Sequence, residues 1–238
     1  MSARRVAEDG FAAGFLMILP LVVAVVPFGL LLGTLAVQKG LSPLEIALMS
    51  ATVFAGASQF VAIEIWTAPP LILLLGATAL MVNLRHVLMG AALAPEIRHW
   101  PRPLAYLALF FMADENWAFA LRRAAQEPLT PAYYAGLALP LYASFIASST
   151  LGAIFGGALD DPARYGLDFA FTAVFLTLLV GLWKGQRSLW PWLASAAVAA
   201  AGYLLLPGVW YIALGGLAGS LAGALQAPPQ DPEAGDVG

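Results

Sequence analysis

Eight apolar stretches, each near the length of a bilayer crossing, divide this chain and leave it few folds to choose from. They fall at 14–37, 46–66, 71–94, 104–121, 132–157, 168–183, 189–206 and 208–225. A membrane helix needs about 20 mostly apolar residues, range roughly 17–25. Stretches 104–121 and 168–183 are short. Composition agrees with the pattern: 61% of the 238 residues are hydrophobic and 11% are charged, against about 25% charged in an ordinary soluble domain. So few charges cannot cover a water-facing surface of this size, so most of the surface faces lipid. The expected fold is an all-α polytopic membrane protein of about seven to eight transmembrane segments, one or two of them broken or re-entrant, with an internal duplication. A single transmembrane transporter domain is expected over 1–225, with halves 11–125 and 131–225, and a disordered tail over 226–238.

Composition also excludes. Cysteine is absent, which removes disulfides, thiolate catalysis and Cys-ligated metals. Two histidines, His86 and His99, are too few for a His-built metal site without carboxylate help. Basic residues come singly or in pairs, so no nucleic-acid surface is expected. No GxxxxGK[ST] loop is present, so the chain does not itself use ATP. The first apolar run exceeds a signal-peptide core of about 7–15 residues and is read as the first span.

The connectors carry helix punctuation. Ser42-Pro43-Leu44-Glu45 is a capping box with Pro at the first helical position. Thr130-Pro131 and Asp161-Pro162 repeat the cap-then-Pro pattern. Glu45 and Asp168 stand at predicted helix starts, where a carboxylate complements the dipole. Basic residues in short loops set orientation. If all eight segments cross, Arg98 and Arg102 lie on the wrong side. If 46–66 and 104–121 each enter and leave on one side, every basic loop is cytoplasmic. Charge alone leaves both topologies open. A faint echo runs through the chain: Gly29 and Gly33 lie 123 residues before Gly152 and Gly156, and Leu44-Glu45 the same distance before Leu167-Asp168. Duplicated halves are common in secondary transporters. The Gly215-x-x-x-Gly219-x-x-x-Gly223 ladder marks a close helix contact, internal or with another subunit. Trp183, Trp190, Trp192 and Trp210 sit at segment ends and read as an interfacial belt.

Three polar constellations interrupt the apolar runs. In Phe54-Ala-Gly-Ala-Ser58-Gln59-Phe60, small residues let the helix unwind or another backbone approach. Ser58 either bonds back to its own helix or joins a site, and the Gln59 amide needs partners from elsewhere. In Asn83-Leu-Arg85-His86, a charge near a helix centre costs about 2.5–3.5 kcal/mol on insertion scales. Either the span ends early and Arg85 snorkels to headgroups, or Arg85 holds a carboxylate and His86 titrates near neutral pH. In Asp114-Glu115-Asn116-Trp117, two adjacent carboxylates pair with Arg85, carry a proton, or mark a helix end with Trp117 in the belt.

Pro27-Phe-Gly29, Phe-Ala-Gly-Ala-Ser-Gln-Phe, Asn-x-Arg-His, Asp-Glu and Leu167-Asp168-Phe169, in that order, resemble the AzlC family, the large subunit of branched-chain amino acid exporters. The likeness covers roughly residues 11–225. It implies export of leucine, isoleucine, valine and related apolar amino acids across the bacterial inner membrane, with a small AzlD-type membrane partner and no cofactor. Ser58, Gln59, Asn83 and Arg85 are the expected substrate-binding residues. His86, Asp114 and Glu115 are the expected proton-coupling ones. Trp117 departs from the smaller or non-aromatic residue expected there. The residues read alone fit a zwitterionic cargo: Arg85 for its carboxylate, Asp114 or Glu115 for its ammonium, an apolar slot for its side chain. Two other readings stand beside transport. One is a channel or structural subunit. The other is an intramembrane protease using Ser58 with His86, against which Gln59 follows the serine and the carboxylates have no task.

Overall fold

A computed structural model describes residues 10–157, 189–206 and 210–226, with a few isolated positions between them. Among the described residues the regular structure is all helix, with no strand. The chain falls into two compact units, residues 1–174 and 175–238. In the first unit the helices are α1 (Phe11–Gln38), α2 (Pro43–Val53), α3 (Gly56–Glu64), α4 (Ile72–Ile97), α5 (Arg102–Phe110), α6 (Asp114–Ala124) and α7 (Pro131–Gly156). Helices α1, α4 and α7 are long and apolar enough to cross a membrane. The expected segments 46–66 and 104–121 are each broken in two, as α2–α3 and α5–α6. Nearly all of segment 168–183, with Asp161-Pro162, Asp168, Trp183 and nearly all of the tail, lies outside the described residues.

The predicted caps form. Ser42 N–H donates to Glu45 Oε2 at 2.7 Å and Glu45 N–H donates to Ser42 Oγ at 3.3 Å. The Thr130 hydroxyl accepts from Tyr133 N–H at 3.2 Å. Each supplies a partner for a helix-start group that the helix itself leaves unpaired.

Helices α1 and α7 form the most extensive contact of the unit, and small residues set its closeness. A Cβ on Gly33 would stand 1.9 Å from the Ser149 carbonyl oxygen, and one on Gly152 would stand 2.1 Å from that of Leu30. Gly14 meets Tyr133, Gly29 meets Ser148 and Gly156 meets Thr34. Residue numbers rise together along the two helices, so α1 and α7 run parallel. Between lipid-facing apolar helices such small-residue seams supply association by van der Waals contact. Hydroxyls add to it: Thr34 Oγ1 donates to the Gly152 carbonyl at 3.1 Å and Ser144 Oγ to that of Val22 at 2.9 Å.

Contacts between helix ends fix the other directions. Trp100, just past the end of α4, donates Nε1–H to the Leu129 carbonyl at 3.2 Å and meets the Tyr134 ring. The end of α4 therefore lies beside the start of α7, and α4 runs antiparallel to α1 and α7. Helix α2 starts where α1 ends and descends along α7, Ser50 meeting Ser149 and Phe54 meeting Phe145. Helix α3 begins against Phe28 and returns, its Glu64 carbonyl accepting from Lys39 Nζ at 3.1 Å. Both ends of α2–α3 thus lie at the C-terminal end of α1. Helix α5 leaves the end of α4 and passes Tyr134 to reach Tyr142. Helix α6 returns until Arg123 lies over the Tyr133 ring, 5.1 Å from its centroid. Both ends of α5–α6 lie at the N-terminal end of α1. Of the two topologies open on charge, the contacts select the re-entrant one. Arg98, Arg102, Arg122 and Arg123 then share one side, which the positive-inside rule assigns to the cytoplasm; Lys39 lies on the other, so the expectation that every basic loop is cytoplasmic fails at that residue.

A long helix followed by a broken segment thus begins at Phe11 and again, upside down, at Ile72; α7 begins at Pro131. Helices α1 and α7 point the same way. In the second unit, α8 (Leu189–Leu205) and α9 (Trp210–Ala224) pack antiparallel, Gly215 against Ala199 and Gly219 against Ser195. Gly215 and Gly219 of the ladder are therefore spent on an internal contact.

Candidate functional site

A helix that stops inside a bilayer leaves backbone groups that no water satisfies, each costing several kcal/mol. Helix α2 stops because Phe54 takes the left-handed conformation, φ 41° and ψ 47°. Gly56 follows because a Cβ there would come 2.5 Å from the Phe28 ring. At this first tip the Tyr142 hydroxyl donates to the Ala51 carbonyl at 2.8 Å. Ala55 N–H donates to Gln59 Oε1 at 3.3 Å, and Ser58 Oγ donates to the Ala55 carbonyl at 2.9 Å. The second tip uses the same devices. The Tyr134 hydroxyl donates to the Ala108 carbonyl at 2.8 Å. Ala113 N–H donates to Asn116 Oδ1 at 3.0 Å, and Asn116 Nδ2 donates to the Phe111 carbonyl at 2.6 Å. Asn116 is fully buried. One amide side chain early in the second helix, and one tyrosine of α7, therefore close each break.

Helix α4 ties the two tips together. Asn83 Nδ2 donates to Ser58 Oγ at 3.1 Å, and Arg85 forms an ion pair with Asp114 at 2.8 Å. In a continuous helix Asn83 and Arg85 face different ways, and each meets a different hairpin. A line of buried polar bonds runs on from Ser58: Gln59 Nε2 donates to Ser50 Oγ at 3.3 Å, and Ser50 meets Ser149 of α7 at 2.9 Å. Arg85 is near the middle of the 26-residue α4, so it does not snorkel from a span end. Asp114 and Glu115 occupy the first turn of α6, at the tip, where the helix dipole favours their charge. The reading of Asp114-Glu115 as a helix end at the membrane surface is thereby replaced. Trp117, also read as belt, instead donates Nε1–H to the Met89 carbonyl at 3.0 Å.

The seven expected site residues thus gather at the two tips and the middle of α4. Gln59 and Ser58 are buried, and His86 and Glu115 follow Arg85 and Asp114 in the chain. Asn83 Oδ1, Arg85 Nε and His86 Nδ1 are buried and carry no hydrogen bond, as is Thr78 Oγ1 one helical stretch away. Arg85 and Asp114 keep 39% and 48% side-chain exposure. A paired charge left that open at mid-membrane requires water or another protein beside it. The middle of α4 therefore carries unbonded polar atoms, one hydrogen bond to the first tip and one ion pair to the second. Ser58 bonds to Ala55 and Asn83, not to His86, which leaves the serine–histidine reading without its central contact.

Sequence reasoning gave no role to Ser50, Asn116, Tyr134, Tyr142 or Ser149. Asn116 stood inside a motif already singled out. The tyrosines were available only as two phenols eight residues apart within one apolar run.

Residues 20–159 match the family described as AzlC protein. Among curated proteins, the chain is 31% identical to an uncharacterized membrane protein of Archaeoglobus fulgidus, over 90% of this chain and 93% of the relative. It is 28% identical to the inner membrane protein YgaZ of Escherichia coli, over 72% of each. It is 26% identical to the branched-chain amino acid transport protein AzlC of Bacillus subtilis, over 89% of this chain and 83% of the relative. No solved structure matches.

Proposed function

The chain belongs to the AzlC family of membrane proteins, and from that premise we propose that it is a secondary transporter exporting branched-chain and related apolar amino acids. The supporting observation is the Arg85–Asp114 pair, held between the middle of a continuous span and the tip of a re-entrant hairpin, and open on one side. Arg85 takes the carboxylate of the amino acid. Asp114 or Glu115 accepts its ammonium. Ser58, Gln59 and Asn83 complete the polar shell, and the uncapped start of α3 at Gly56 adds N–H dipoles. Export against a gradient needs coupling, and we assign the travelling proton to His86, Asp114 or Glu115. The open flank of the ion pair supports a small AzlD-type membrane partner that covers it.

The test is counterflow in liposomes, with and without the small partner. Leucine, isoleucine, valine and methionine should exchange with saturation, and glutamate and lysine should not compete. Flux that rises linearly with concentration and ignores the proton gradient would favour a channel.

A further inference from the structure

Tyr142 lies on α7, a helix that belongs to neither hairpin, two residues past Pro140. Its hydroxyl closes the break after α2 by donating to the Ala51 carbonyl at 2.8 Å. Its ring stands edge-on to Phe54, 5.1 Å between centroids, and edge-on to Phe111, 4.9 Å between centroids. Phe54 and Phe111 are the residues at which the two hairpins turn. One side chain on a spanning helix therefore touches both turns. The contact also bears on strain. Phe54 keeps a left-handed backbone that non-glycine residues disfavour, and the rings of Tyr142 and Phe145 enclose it. Tyr134 makes the contrast: its hydroxyl serves the second hairpin alone, and its ring meets Trp100.

We propose that Tyr142 is a positioning residue that couples the two hairpin tips, so that one hairpin opens the site only while the other is held shut. The inference rests on the transport reading above for its purpose, though not for its geometry. When the first tip withdraws, the Ala51 bond breaks and the ring is free to settle against Phe111. When the second tip withdraws, the ring settles against Phe54 and keeps its bond to Ala51. The ring that touches both turns stays against whichever turn remains, so withdrawal of one tip leaves the other held.

The experiment compares Tyr142→Phe, which keeps the ring and loses the bond, with Tyr142→Leu, which loses both. In leucine counterflow, Tyr142→Phe should keep KM within about twofold and lower kcat about fivefold or more, the factor one lost hydrogen bond carries. A merely structural role would reduce the amount of folded protein and leave both constants unchanged. The second readout is the distance between spin labels on Leu48→Cys of α2 and Leu107→Cys of α5, both exposed positions in a chain with no cysteine of its own. Tyr142→Phe should broaden that distribution toward longer distances, and Tyr142→Leu should broaden it further. The labels report on the hairpins without any substrate, so they decide the coupling even where leucine is not the cargo. Wild-type distances in the folded Tyr142→Phe protein overturn the proposal, as does a wild-type kcat.

Discussion

Arg85 has two tasks that pull on the same atoms. It anchors the second tip through Asp114, and in the proposed cycle it must also receive a carboxylate from the cargo. The two acids beside it are then unequal. Asp114 already faces Arg85, which leaves Glu115 freer to take up and release a proton. Asp114→Asn should therefore lower transport at every pH, whereas Glu115→Gln should flatten its pH dependence. Initial rates of leucine counterflow between about pH 5 and 8 separate the two, and identical wild-type profiles in both variants would remove the coupling role. These residues were legible in the sequence because a charge in an apolar run is expensive wherever it sits. Ser50, Ser149 and Tyr142 were not. A hydroxyl in an apolar helix ordinarily bonds its own backbone, and nothing local tells that the partner of Ser50 lies 99 residues away.

At the level of helices, the seam between α1 and α7 holds the frame on which both hairpins hang. Gly33 has no room for a side chain there, and Gly76 on α4 has nothing within 4 Å of the place a Cβ would take. Gly33→Leu should destabilise the protein by about 2 kcal/mol or more, as overpacking of a tight contact does. Gly76→Ala should be neutral or slightly stabilising, by up to about 1 kcal/mol of helix propensity. Thermal unfolding in detergent checks both, and equal melting points for the two variants would contradict the seam. Helix starts were readable because capping is local chemistry: Ser42 and Thr130 act as their spacing predicts. The breaks were half readable. Gly56 and Gln59 announced one, but the direction in which each second helix leaves is set by contacts with α1, α4 and α7 that no window of sequence contains.

For the whole molecule, charge alone balanced two topologies, and the re-entrant one follows only from which helix ends meet. It makes a plain forecast. Lys39→Cys and Thr67→Cys should both react with an impermeant thiol reagent from the periplasmic face, and Arg98→Cys and Gln126→Cys only from the cytoplasmic face. Labelling of Lys39→Cys and Thr67→Cys from opposite faces would mean that the first broken segment crosses the bilayer. The family and the membrane setting were legible from the order of short motifs, because each marks a position where lipid forbids the ordinary solution. Transport as proposed depends above all on Arg85, the group that receives the amino acid. Its most direct test is leucine efflux from preloaded cells making wild-type chain or Arg85→Gln, with membrane insertion of each verified by immunoblot. The inserted Arg85→Gln protein should export no leucine above the empty-vector rate; export at the wild-type rate would rule out Arg85 as the receiving group.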